Sequence, residues 1–199
     1  MLSRDNSLNR KEFNELFNVC HSAKKKIWLI SLVALTIGLW SGLCFAGNYR
    51  PRTGYYKPGS EPDGFRGNKW GTDIKTLKGM EYIGTDPSYG GIKKYTKKNE
   101  DLRIGGAELG RIEYCFWRGK FCNISIIIKG STNWTGLRDA VFEKFGEGYK
   151  SNEFVENYFW NGGITSMLLK YNEFSKEGKL FMGSEKINKQ QKTYEKQKM

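Results

Sequence analysis

FCNISIIIKGSTNWTGLRDAVFEKFG, running from Phe121 to Gly146, changes its hydrophobic period midway, and that change decides the fold. In the first half Cys122, Ile124, Ile126 and Ile128 recur at every second position, the spacing of a strand with one buried face, although Ile127 interrupts its polar side. In the second half Trp134, Leu137, Val141 and Phe145 recur at three- and four-residue spacing with Ala140 beside them. Arg138, Asp139, Glu143 and Lys144 fall on the opposite side, so this half reads as an amphipathic helix. Ser131, Thr132 or Asn133 offers a capping oxygen, and Gly146 closes the helix.

Upstream, the same reasoning predicts a short strand over 65–70 and a helix of about two turns capped by Thr72 or Asp73 and ended by Gly79. Short strands follow at 81–84, 92–97, 102–107 and 111–117, separated by turn chemistry at Asp86-Pro87, Asn99-Glu100-Asp101 and Gly110. Downstream, strands are expected at 154–160, 164–172 and 179–185, joined through Asn161-Gly162-Gly163 and Ser175-Lys176-Glu177-Gly178. The order defines an α+β domain over 64–185, an antiparallel sheet packed in two layers on two helices. Its halves hint at a faded strand-helix-strands duplication, but Trp70-Gly71-Thr72-Asp73 and Ser131-Thr132-Asn133-Trp134 are too slight to establish one.

The flanks differ in kind. Residues 47–63 hold three of the four prolines with no periodicity and read as an extended linker. Residues 186–199 form a basic, Lys/Gln-rich tail in which only Ile187 and Tyr194 suggest a weak face, so a frayed helix or disorder is expected. Ile27 to Ala46 is a run of twenty uncharged, mostly apolar residues directly behind Lys24, Lys25 and Lys26. It is long enough to span a bilayer, and Cys44-Phe45-Ala46 also puts small residues at the −3 and −1 positions of a signal cleavage site. The chain is therefore expected to be exported: periplasmic or secreted if cut after Ala46, or membrane-anchored with its C-terminal domain outside the cytoplasm if uncut. Residues 1–26 form a cytoplasmic n-region of unusual length, for which a start assigned too far upstream is the simpler explanation.

Composition excludes several chemistries. The net charge of +12 falls only to +9 when the six Lys/Arg and three Asp/Glu of residues 1–46 are removed, a field that attracts anions in general. The only histidine, His21, lies in that removable part, so an exported form has no imidazole for triads or His-based metal sites. Gly105-Gly106-Ala107-Glu108-Leu109-Gly110 lacks the spacing and Lys of a phosphate-binding loop. No catalytic, cofactor-binding or metal-ligating residues can be nominated. The expected partner is an envelope protein or an anionic polymer or lipid surface, without specific nucleic-acid binding. Membrane contact runs through 27–46 if that run is retained. The alternative is a hydrolase using a pair of carboxylates on an envelope polymer.

One hairpin carries the candidate surface contact. Trp117, Arg118 and Lys120 surround the turn between the strands 111–117 and 121–129, where an exposed indole among cations can stack on a sugar or base. Two registers are available there. A two-residue Arg118-Gly119 loop sets Cys115 opposite Cys122, whereas a three-residue loop with Gly119 in a bulge pairs Phe116 with Lys120, Tyr114 with Cys122 and Ile112 with Ile124. The second keeps the apolar face continuous and leaves Cys115 and Cys122 as thiols.

The opening Gly64-Phe65-Arg66-Gly67-Asn68-Lys69-Trp70-Gly71-Thr72, the Tyr114-Cys115-Phe116 before Gly119-Lys120-Phe121, and the Phe145-Gly146 helix end resemble a set of uncharacterised exported bacterial proteins. The resemblance covers roughly 64–182 and implies no activity. More loosely, the element order is similar to small envelope modules of the outer-membrane assembly lipoprotein and β-lactamase-inhibitor-protein type. The lipidation cysteine of the former is missing, and a fold-level analogy does not fix function.

Overall fold

The computed structural model describes residues 54–198, which belong to the second of two units in the chain, Pro51–Met199. Ile27 to Ala46, with the expectations of export, cleavage and anchoring, lies outside the described residues. Among those described, no helix is long and apolar enough to cross a membrane.

Twelve strands are described. β1 (Gly64–Phe65) and β2 (Asn68–Lys69) make a small hairpin, as do β5 (Arg103–Ile104) and β6 (Ala107–Glu108). The other eight are β3 (Met80–Asp86), β4 (Ile92–Lys97), β7 (Arg111–Trp117), β8 (Lys120–Lys129), β9 (Tyr149–Lys150), β10 (Asn157–Asn161), β11 (Thr165–Asn172) and β12 (Glu177–Ser184). They form one antiparallel sheet in the order β3-β4-β7-β8-β12-β11-β10-β9. With helices α1 (Ser131–Phe145) and α2 (Glu185–Lys196), this is an α+β fold built mostly on antiparallel sheet.

The diagnostic stretch folds as its periodicities dictate. Trp134, Leu137, Val141 and Phe145 are the buried residues of α1. They pack on Ile124, Ile126 and Ile128 of β8 and on Leu169, Leu180 and Met182 of the C-terminal strands. Trp134 stacks on Tyr171 at 5.0 Å and 11°, completing an aromatic layer. A Cβ on Gly136 would lie 2.8 Å from the Gly106 carbonyl carbon, so α1 meets the β5–β6 hairpin backbone to backbone because that residue is glycine. The cap differs from expectation: Gly130 at φ 86° takes the position without a side-chain bond. Asn133 is instead spent on Lys129 O and the Glu108 N–H.

Three expectations change on contact with tertiary structure. The predicted helix after Thr72 is a single 3-10 turn, Ile74–Thr76, capped by Asp73, because Ile74 donates its N–H to Gly119 O and Leu77 is already extended. The predicted tether is packed from Gly54 onward. Asn161 N donates to Gly54 O, Tyr56 meets Phe145 edge-on at 5.8 Å, and Glu61 Oε1 accepts from the N–H groups of Ile164 and Thr165. The C-terminal tail expected to fray is α2, and it lies against the face of the sheet opposite α1.

The hairpin has the two-residue Arg118-Gly119 loop of the first alternative but the strand register of neither. Arg118 (φ 50°) and Gly119 (φ 75°) form a two-residue turn with Trp117 opposite Lys120. A bulge then falls at Cys122, so Cys115 faces Asn123, Tyr114 faces Ile124 and Ile112 faces Ile126. The bulge turns Phe121 into the core, 5.8 Å from Tyr114 and 5.5 Å from Phe116, and sends Cys122 to the other side. Cys115 and Cys122 thus share a face as buried thiols, with Cys122 Sγ donating to Cys115 O at 3.2 Å.

Candidate functional site

The second face of the sheet is thinner in apolar residues and gathers a cluster of its own: Tyr89, Ile92, Cys115, Trp117, Cys122 and Ile187, with Tyr194 against them. Helix α2 is what closes it. Ser184 caps the helix by accepting from Ile187 N, Glu185 sits in its first turn, and Ile187 and Gln191 are the buried residues facing the sheet.

This placement corrects the reading of Trp117. The indole is only 5% exposed, its Nε1 donates to Tyr89 O at 2.8 Å, and Tyr194 of α2 packs against it at 6.1 Å. It is no stacking platform open to solvent. What Trp117 presents outward is its neighbour. The Arg118 guanidinium lies 4.5 Å from the Trp117 ring centre and 4.8 Å from that of Tyr194, held over two aromatic rings while the residue itself stays exposed. An arginine fixed this way keeps its donor fork pre-organised, which costs less on binding an anion than ordering a free side chain.

Around it lies a groove of ≈ 1130 Å³ whose lining includes Lys69, Arg118, Lys120, Lys186 and Lys189, with Asp63 as its one acidic residue among those described. Two of these cations are engaged: Lys69 with Asp63 at 3.0 Å and Lys120 with Asp73 at 3.3 Å. The Asp73 carboxyl is held below its usual range by the Lys75 backbone N–H and then by the Lys120 ammonium. Lys186 and Lys189 are exposed and make no ion pair among the described residues. Gln190, Thr193 and Gln197 add uncharged hydrogen-bonding groups along the same wall.

All three residues nominated from sequence border the groove, Arg118 and Lys120 as exposed cations and Trp117 as a buried ring beneath Arg118. Lys186, Lys189 and Tyr194 were not nominated. They come from the segment expected to fray, and only the Ile187 to Tyr194 spacing hints that it docks. Among the described residues no cluster of three His, Cys, Asp or Glu side chains is placed to hold a metal ion. No protein-family model, curated protein or solved structure matches this chain.

Proposed function

We propose that this chain is an exported, non-enzymatic envelope module that binds an anionic polymer or surface through the groove between the β7–β8 turn and α2. The observation that carries the reading is Arg118, fixed over Trp117 and Tyr194 in a groove where Lys186 and Lys189 stand without acidic partners. Such a site offers charge and hydrogen-bond donors to repeated anionic groups. The apolar run Ile27 to Ala46 supports delivery to the envelope. Intact-mass measurement of the exported protein separates the two forms of that reading. A product beginning at Gly47 is expected; one retaining the run and fractionating with membranes establishes the anchor instead.

The test of binding uses polyphosphate and dextran sulfate, with neutral dextran as control. The combined change Arg118→Glu, Lys186→Glu and Lys189→Glu should weaken binding at least tenfold and flatten its salt dependence. A second variant, Lys93→Glu, Lys97→Glu and Lys98→Glu on and just after β4, makes the same change in net charge elsewhere and should lose far less. Equal losses in the two variants would mean that net charge alone does the binding, and failure of the unaltered chain to bind either polyanion would end the proposal.

A further inference from the structure

The groove beside α2 is not cationic throughout. The helix lines it from Lys186 to Gln197, a run of about 17 Å, so the lining is long enough to meet several units of an extended chain. Along that run the exposed ammonium groups of Lys186 and Lys189 give way to exposed, uncharged Gln190, Thr193 and Gln197. Elsewhere the lining is supplied by Trp70 with Gly71 and by Gly163 with Ile164. At both glycines the space that a Cβ would occupy is open, so bare backbone borders the groove there.

These neutral parts discriminate between kinds of polyanion. Phosphate oxygens carry charge and accept hydrogen bonds, which suits Arg118, Lys186 and Lys189 but offers nothing to the amide oxygens of Gln190 and Gln197, which need donors. The apolar part is equally unmatched by phosphate. Ile164 is 49% exposed. Trp70 is half-buried, with its Nε1 already donated to Thr165 Oγ1 at 2.6 Å and its ring 4.8 Å from that of Phe121, so it brings only ring surface to the groove. A charged phosphate laid on such surface loses water and gains no partner. A sugar differs on both counts. Its hydroxyls donate as well as accept, and its C–H groups cover apolar surface without stranding a polar atom.

We propose that the groove takes an acidic polysaccharide, a polymer whose sugars carry a carboxylate beside free hydroxyls. Arg118 meets a carboxylate with its planar fork, and Lys186 and Lys189 meet others as point charges. Gln190, Thr193 and Gln197 exchange hydrogen bonds with the hydroxyls, while Trp70 and Ile164 take the ring C–H groups. The inference rests on the polyanion-binding reading of this groove and narrows it from charge to sugar chemistry.

The experiment measures binding of polygalacturonate and of polyphosphate to the full chain by calorimetry, at equal concentrations of anionic groups and one salt concentration. Polygalacturonate should bind at least fivefold more tightly. Gly163→Leu puts a side chain into the open space beside Ile164, at a position whose backbone lies outside the left-handed region. Gln190→Ala with Gln197→Ala removes the neutral hydrogen-bonding groups and leaves every charge in place. Each variant should weaken polygalacturonate binding at least fivefold and polyphosphate binding less than twofold. Equal affinity for the two polymers, or variants that weaken both alike or neither, would overturn the proposal and leave charge-driven binding standing. Binding of neither polymer would overturn both readings, so the two failures are told apart.

Discussion

Trp160→Ala should cost about 3–5 kcal/mol, enough to leave the domain barely folded at room temperature. The indole is wholly buried in β10, donates from Nε1 to Gly146 O at 3.0 Å, and lies 6.1 Å from Phe142. A Cβ on Gly148 would sit 2.8 Å from the ring, so the main chain is packed against it and cannot readily collapse into the space left behind. Alanine also strands the Gly146 carbonyl at the C-terminal end of α1. Trp160→Phe retains most of the packing and loses only that bond, so it should cost much less. Urea unfolding followed by circular dichroism checks both, and a loss below about 1 kcal/mol for the alanine variant would mean that α1 and β10 do not share a core.

The second large effect is expected at Arg66. Its guanidinium pairs with the Glu100 carboxylate and donates to Arg103 O at 2.9 Å, while Tyr114 OH donates to the other Glu100 oxygen at 2.9 Å. Burial, followed by the neighbouring Glu100, pushes the Tyr114 hydroxyl well above its usual range, so it stays a donor at any working pH. Arg66→Ala leaves the Glu100 carboxylate, 9% exposed, with that single donor. Stranding one member of a buried pair costs about 3–5 kcal/mol, and the 26% exposure of Arg66 reduces the expectation here to about 2–3 kcal/mol. Arg66→Met combined with Glu100→Gln should recover much of the loss. A double variant as unstable as the single one would trace the cost to the β1–β2 hairpin and not to the uncompensated carboxylate.

Legibility of the sequence follows the range of the interactions. The stripe of α1 and the strand 111–117 can be read because their periodicity lies within one element. The reading blurs where a residue's fate depends on distant chain. Trp117 looks exposed beside Arg118 and Lys120, yet it is covered by Tyr194, more than seventy positions away. Helix α2 itself buries only Ile187 and Gln191, too sparse an apolar face to separate a docked helix from a solvated one. The bulge at Cys122 defeats register counting for another reason: Phe121 and Cys122 are both apolar, so only packing against Tyr114 and Phe116 decides which one turns inward. The candidate groove inherits these difficulties, because one wall comes from the β7–β8 turn and the other from the helix that composition disguises.

The strand order has a consequence for how the chain reaches this state. β3-β4-β7-β8 and β12-β11-β10-β9 are two four-stranded meanders, and the sheet is continuous only because β8 pairs with β12. That seam joins residues from Lys129 with Glu177 to Asn123 with Gly183, 48 to 60 positions apart, whereas the hairpins within each half close over far shorter loops. Local hairpins pay little loop-closure entropy and form early, so the seam is the late step that sets the folding rate. Until it closes, each half carries a bare edge, β8 on one and β12 on the other, already shaped to fit its counterpart. At high concentration that counterpart can come from a second molecule, which makes exchange of halves between copies the characteristic misfolding route of this architecture.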